Sequence, residues 1–324
     1  MAGTLTHFYV MKKYFDTYGN NPIKFLKKES IKNSNYTEQE IFNSLAFLGS
    51  TGPDLFYMTT TNEYIADFHH YKNPGLFAKH LYEQTSVLST KDKIYAKHLA
   101  NGFLCHIATD LVIHPFVNSL VGKYQEHIIT KVKIPGDSII TPNDIQKMTL
   151  SQRMQAHNIV EFAQDRHVLK RIFKQAKNAH SVIFTYPIEK IKVELNNILN
   201  TAIASTYGKR ISGQNIQGVI DFYSNSNYAF GANIEDHLDY VLDDEYKHFE
   251  LFLGHKNGPK TTFDTLIDKA VNLTLELITM AEAGIWDDII KPLNLDTGLY
   301  TETKIDETNN QININFNSFE KLFG

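Results

Sequence analysis

The chain has 324 residues, of which 42% are apolar and 21% are charged, and its formal net charge is −4 at pH 7. This composition is typical of a globular protein and excludes collagen-like and low-complexity architectures. The lysines and arginines are scattered, so no basic face for duplex nucleic acid is visible, and the single cysteine, Cys105, excludes an intramolecular disulfide and a multi-cysteine zinc site.

The N-terminal stretch from Met1 to Phe15 contains polar residues and lacks the apolar region of a secretory signal peptide. No apolar run approaches the roughly 20 residues that a membrane-spanning helix needs. We therefore expect a cytoplasmic protein, with export by a route that uses no such signal as the alternative.

The first third of the chain predicts helices separated by turn-forming residues. Asn20-Asn21-Pro22 ends a first amphipathic helix, and Thr37 followed by acidic residues is typical of a helix N-terminus. We expect this second helix to end at Gly49, with Gly52-Pro53-Asp54 in a loop. Asn73-Pro74-Gly75 marks a further break.

A long helix is predicted from Thr90, because apolar residues recur at helical spacing as far as Leu111. Since the residue before a proline avoids the helical region, Pro115 should end this helix near His114. Strand-like alternation is scarce before 311–316. Further helices are expected at about 151–175, 186–206, 214–225, 235–254 and 262–284. The predicted fold class is all-α.

Histidine is concentrated early in the chain, with eleven of the 14 in the first 180 residues. The sharpest pattern is His106-x3-Asp110-x3-His114. Four residues advance about 400° around a helix, so the three side chains lie on one stripe. The flanking residues are apolar, which turns the stripe inward. This pattern indicates a zinc-type ligand set in which Asp110 can bridge two ions; the alternative is hydrogen-bonded core histidines with a capping aspartate.

A second pattern, His157-x3-Glu161-x3-Asp165, places His157 and Glu161 on one face of the next predicted helix. These two residues form a second pair of candidate ligands, and a solvated helix face is the alternative. His127 competes for this role. We prefer His157 because the ammonium of Lys131, four residues after His127, would repel a zinc ion.

Three shorter features are weaker on their own. Asp54 follows a Gly-Pro turn that could be ordinary. Of the adjacent pair His69 and His70, at most one is expected to face a given ion. His7 lies so near the chain end that it is expected to be exposed to solvent.

In this order along the chain, these motifs resemble the zinc-dependent phospholipase C family. That family has an all-helical fold with three zinc ions and is related to the single-strand-specific zinc nucleases. The resemblance covers about residues 5–166 and rests on Thr6-His7, Gly52-Pro53-Asp54, His70-Tyr71, Gly102-x3-His106-x3-Asp110-x3-His114-Pro115 and His157-x3-Glu161-x3-Asp165.

The resemblance implies three groups of zinc ligands. One zinc ion would be held by Asp54, His70, His106 and Asp110. A second would be held by His114, His157 and Glu161, and a third by His7 with the bridging Asp110. Asp54 would also act as the general base, or would orient the attacking water, in phosphodiester hydrolysis.

Two departures from the secreted members of that family refine the expectation. His7 lies nearer the start than its counterpart, so we expect two or three zinc ions and a smaller loss of zinc on removing His7 than on removing His106. Leu55 follows Asp54 where the secreted enzymes place an aromatic residue. Without that cation–π face, discrimination between choline and ethanolamine head groups should be weak.

The predicted function is zinc-dependent phosphodiester hydrolysis, with phospholipase C activity on glycerophospholipids favoured and a phospholipid or membrane surface as the partner. A related zinc phosphodiesterase or nuclease is the first alternative, and it would need a basic, aromatic-lined groove. A partner-binding protein that keeps the fold without catalysis is the second. The expected parts are a zinc-binding helical core (1–175), a helical C-terminal region (176–295) and a polar tail (296–324).

Overall fold

The computed structural model describes residues 4–19, 37–56, 63–83, 89–131, 161, 164–165, 167–168, 191–208, 263–291, 293–295 and 299–300. The helices of this part are α1 (Thr4–Tyr18), α2 (Glu38–Leu55), α3 (Glu63–Tyr71), α4 (Pro74–Tyr82), α5 (Thr90–Lys131), α6 (Lys192–Tyr207) and α7 (Phe263–Glu282). Two short antiparallel strands follow, β1 (Leu293–Asn294) and β2 (Leu299–Tyr300). The predicted all-α class is confirmed.

The predicted end of α2 at Gly49 is wrong. The helix continues through Pro53 to Leu55, so Asp54 lies in its last turn rather than in a loop. A proline inside a helix removes one backbone hydrogen bond. Pro53 and Asp54 are both buried, and the packing of this last turn against the core offsets that loss.

The predicted end of α5 near His114 is also wrong, because the helix continues past Pro115 to Lys131. Phe116 and Val117, directly after the proline, are fully buried. Burial of two such side chains stabilises by about 3–6 kcal/mol in total, which is enough to offset the roughly 3 kcal/mol cost of an interior proline. The packing of the next turn therefore keeps the chain helical.

α5 is the central helix, and α2 approaches it backbone to backbone at Gly49 and Gly102. A Cβ atom on Gly49 would lie 2.1 Å from the carbonyl oxygen of Leu99, and one on Gly102 would lie 2.0 Å from that of Ala46. Neither position can accept a larger side chain without separating the helices. The two glycines thus bring the last turns of α2 beside the middle of α5.

The predicted helices at 186–206 and 262–284 correspond to α6 and α7. α6 packs on α4 and α5, and α7 packs on α1 and α5, so all of them contribute to one hydrophobic core. The boundary expected at 175/176 lies outside the described residues, as do 214–225, 235–254 and 311–316, and the division of the chain into three parts stays a prediction. Among the described helices, none is both long and apolar enough to cross a bilayer.

Candidate metal centre

Four helices bring imidazole and carboxylate side chains together at one buried point of the core. None of these residues is more than 4% exposed. They are His7 from α1, Asp54 from α2, His70 from α3, and His106, Asp110 and His114 from α5. Ionisable groups at such depth are costly unless they are paired or bind a metal.

The carboxylate of Asp110 lies between two pairs of histidines. Its Oδ2 is 3.1 Å from Nε2 of His106 and 3.5 Å from Nε2 of His70. Its Oδ1 is 3.2 Å from Nε2 of His7 and 3.3 Å from Nε2 of His114. We call these two groups the Oδ2 side and the Oδ1 side of the cluster. One oxygen for each pair is the arrangement that a bridging carboxylate requires.

Asp54, in the last turn of α2, also contacts histidines on both the Oδ2 side and the Oδ1 side. Its Oδ1 is 3.1 Å from Nε2 of His70, and its Oδ2 is 3.7 Å from Nε2 of His7. Two sets of three described side chains have ligand atoms within 4.8 Å of one another, close enough to hold a metal ion. One set is His70, His106 and Asp110, and the other is His7, His106 and Asp54. Both carboxylates therefore contact histidines on each side of the cluster.

Backbone carbonyls fix the orientation of the two histidines on the Oδ2 side. Nδ1 of His70 donates to the carbonyl oxygen of Ala66 at 2.7 Å, and Nδ1 of His106 donates to that of Ser50 at 3.0 Å. In the neutral rings, the proton on Nδ1 leaves a lone pair on each Nε2. These two Nε2 atoms are only 3.2 Å apart, so a proton or a metal cation is needed between them.

The spacing of these donor atoms fits a zinc ion. Zinc–ligand distances of about 2.0–2.1 Å in tetrahedral geometry place two ligand atoms about 3.3 Å apart. On the Oδ2 side, His70 Nε2 lies 3.1 to 3.5 Å from Asp54 Oδ1, His106 Nε2 and Asp110 Oδ2, and His106 Nε2 lies 3.1 Å from Asp110 Oδ2. Metal-binding histidines also commonly donate their second N–H to a backbone carbonyl, as both do here.

The pKa shifts describe a site that attracts cations. Burial raises the pKa of Asp110, but the neighbouring histidines outweigh this effect and hold it well below its ordinary value. The same balance lowers the pKa of Asp54. Burial lowers the pKa of His70, yet its contact with Asp54 and the charge of Asp110 raise it to about 9. In the metal-free protein a proton on His70 thus takes the place of a bound cation.

His7 is fully buried, so the expectation that it is exposed is wrong. α1 already begins at Thr4, and its first turn carries His7 into the core, where the ring stacks on that of His106 with 4.2 Å between centroids. Apolar neighbours on more than one face, such as Leu5 and Phe8, indicate a helix buried on several sides. That signal was available in the sequence.

Of the adjacent pair, the structure places His70 in the cluster and His69 among aromatic rings. The rings around His69 are those of Phe56, Phe77, Phe103 and Tyr207, with centroids 4.3 to 5.9 Å away. Within the described part of the chain, neither ring nitrogen of His69 has a hydrogen-bond partner. Burial holds its pKa well below the ordinary value, so the ring is neutral.

The second predicted pattern is described only in part. Oε1 of Glu161 lies 4.0 Å from Nε2 of His114, at the outer edge of the Oδ1 side. His157 and the side chain of His127 lie outside the described residues, so the preference between them stays a prediction.

Asp165 is a residue to which the sequence analysis gave no role. It is fully buried and accepts two hydrogen bonds from Thr6, one from the backbone N–H at 3.0 Å and one from the hydroxyl at 3.1 Å. Its position one helical turn after Glu161 placed it on the same face, but the sequence contains no sign of its partner 159 positions away.

A buried cluster of imidazole and carboxylate groups between the helices of an all-α fold is typical of helical metalloproteins. The family model described as zinc dependent phospholipase C matches residues 6–213, a stretch that includes all eight predicted site residues. This chain belongs to that family. A search of curated proteins and a search of solved structures each returned no match.

Proposed function

We propose that this protein is a zinc-dependent phosphodiester hydrolase that acts as a phospholipase C on glycerophospholipids, with diacylglycerol and a phosphorylated head group as products. The observation that carries the proposal is the division of the cluster by Asp110, whose two oxygens face separate pairs of histidines. Two zinc ions bound there supply Lewis acidity that neutralises a phosphodiester and makes a nearby water more acidic.

Asp54 is the residue best suited to handle the attacking water. Burial would raise its pKa, but the neighbouring histidines lower it. The carboxylate is therefore ionised and weakly basic at neutral pH, so it would orient the water, or accept the proton of a water that bound zinc has made more acidic. It is 4% exposed, whereas the four histidines and Asp110 are completely buried. Glu161, at 6%, is the other described member with any exposure. The substrate therefore approaches from the side of Asp54 and Glu161.

The phospholipid preference rests on the family and not on a described lipid contact. Phe56, two residues after Asp54, is 2% exposed and packs edge-on against His69, so it belongs to the core. Leu55 still predicts weak choline preference, because an aliphatic side chain offers no cation–π face.

The test measures diacylglycerol release from mixed micelles of phosphatidylcholine and of phosphatidylethanolamine by zinc-loaded protein. We expect chelator-sensitive turnover of both lipids. Their rates should lie within about tenfold of each other, because the cation–π contact that Leu55 cannot make is worth roughly one decade. Asp54→Asn should lower the rate by about 10²–10⁴ if the carboxylate handles the proton.

Single-stranded DNA and bis-p-nitrophenyl phosphate are assayed in parallel. Turnover of DNA without diacylglycerol release would assign the protein to the nuclease branch. Absence of turnover on every substrate, with zinc fully bound, would favour a partner-binding protein without catalysis.

A further inference from the structure

The first turn of α1 is held by a carboxylate from a distant part of the chain. Thr6 donates to Asp165 Oδ1 through both its backbone N–H and its hydroxyl. The first N–H groups of a helix have no partner within the helix, and a carboxylate there interacts favourably with the helix dipole. Both residues are fully buried, so water does not compete for these hydrogen bonds.

This contact is adjacent to the metal centre on the α1 side. Thr6 directly precedes His7, whose Nε2 lies 3.2 Å from Oδ1 of Asp110. Among the described residues, Nδ1 of His7 has no hydrogen-bond partner. The ring therefore lacks the carbonyl contact that orients His70 and His106, and its placement depends on where the backbone of α1 begins.

The same carboxylate also lies next to the other end of the Oδ1 side. Asp165 follows Glu161 by four positions in the sequence, and Glu161 Oε1 lies 4.0 Å from Nε2 of His114. The contact between Asp165 and Thr6 thus joins the two elements that approach Asp110 Oδ1 from outside α5. No comparable link to Asp165 is needed on the Oδ2 side, where Ala66 and Ser50 orient the rings.

We propose that Asp165 is a positioning residue for the metal ion on the Oδ1 side, where it sets the distance of His7 from Asp110 and that of Glu161 from His114. The inference rests on the proposed function only in requiring that the cluster bind metal. It assigns to Asp165 an effect on one ion and not on the other.

The experiment titrates metal-free full-length protein with zinc against a chromophoric chelator, and with cobalt for its visible absorption spectrum. Asp165→Ala should weaken one of two ions by about 10–100-fold, the usual effect of removing an outer hydrogen-bonding partner, and leave the other unchanged. Asp165→Asn keeps an oxygen acceptor for both hydrogen bonds and should restore most of the affinity and the wild-type cobalt spectrum.

Two further variants separate positioning from general stability. Thr6→Val keeps the backbone N–H and loses the hydroxyl, so it should weaken the same ion by about threefold to tenfold. Asp264→Ala removes a 3.1 Å contact with His167, which joins the Asp165 segment to α7 instead of α1. It should leave both ions as in the wild type.

Equal weakening of both ions by Asp165→Ala, no weakening of either, or the same loss in Asp264→Ala would overturn the inference. If Asp165→Ala does not fold, Thr6→Val decides the matter: weakening of one ion supports the inference, and weakening of both or of neither overturns it. Wild-type protein that binds two ions but hydrolyses no phosphodiester contradicts the proposed function alone, whereas wild-type protein that binds no metal contradicts both.

Discussion

Replacement of Asp110 by asparagine tests the bridging arrangement directly. The substitution keeps the size of the side chain and replaces one carboxylate oxygen by an amide nitrogen, which cannot bind a cation. Because Oδ1 and Oδ2 face different histidine pairs at 3.1–3.5 Å, the change removes negative charge from both sides of the cluster. Both ions should therefore bind more weakly.

The magnitude follows from the number of ligands. A structural zinc site contributes about 10–16 kcal/mol, so one of four ligands accounts for about 3 kcal/mol. At 1.4 kcal/mol per decade, this is about 100-fold in affinity for an ion that loses a whole ligand. Asp110→Asn should thus lower the affinity of the ion that faces the amide nitrogen by about two decades, and that of the ion that keeps an oxygen but loses the negative charge by less. The loss of bound metal should lower the melting temperature as well.

The assay is a competition titration with a chromophoric zinc chelator, with Glu161→Gln as the matched control. Oε1 of Glu161 lies 4.0 Å from Nε2 of His114, on the Oδ1 side, so its variant should weaken one ion and spare the other. If Asp110→Asn leaves either ion with wild-type affinity, the carboxylate does not bridge.

Three other changes have defined outcomes. Gly49→Ala should destabilise the fold by about 3 kcal/mol or more, because its Cβ would lie 2.1 Å from a carbonyl oxygen of α5. Gly52→Ala, which meets no atom within 4 Å, should stabilise α2 by about 0.5–1 kcal/mol; urea unfolding that gave equal effects would refute the close contact. Zinc binding should release protons, and apparent affinity should rise with pH until about 9, the pKa of His70. In the metal-free protein the raised pKa of His70 contributes stability that is complete below about pH 6.5 and is lost as the pH rises through about 9. Calorimetry in two buffers of different ionisation enthalpy counts the protons, and no release at pH 7 would contradict the assignment. His7→Ala should lower the affinity of the ion on the Oδ1 side by about 100-fold. This is a larger effect than the small loss of zinc that the position of His7 near the chain start suggested, and zinc content equal to the wild type would contradict it.

The part of the site that the sequence predicts best is the part built on one helix. His106, Asp110 and His114 face the same way because the helical repeat alone determines their direction. The division of Asp110 between two histidine pairs was not predictable, because it depends on where α1 and α3 place His7 and His70. Those placements arise from packing between helices distant in sequence.

The two wrong helix ends have a similar cause. The predictions at Gly49 and Pro115 took glycine and proline to end a helix, without regard to what packs around them. The outcome was decided by buried neighbours, Phe116 and Val117 after Pro115, and by the close approach of Gly49 to α5. His7 was misjudged for a different reason, because its position near the start of the chain was used as the signal although its apolar neighbours Leu5 and Phe8 indicate burial.

The glycine contact between α2 and α5 has a consequence for the order in which the site can form during synthesis. The contact lies within the segment 49–110. This segment supplies every residue on the Oδ2 side, together with the carbonyl groups that orient its histidines. This half of the centre is complete in the growing polypeptide before Glu161 and Asp165 have been translated. His7 and His114 of the Oδ1 side are present by then as well. The contacts that wait for later synthesis are therefore those of Glu161 with His114 and of Asp165 with Thr6.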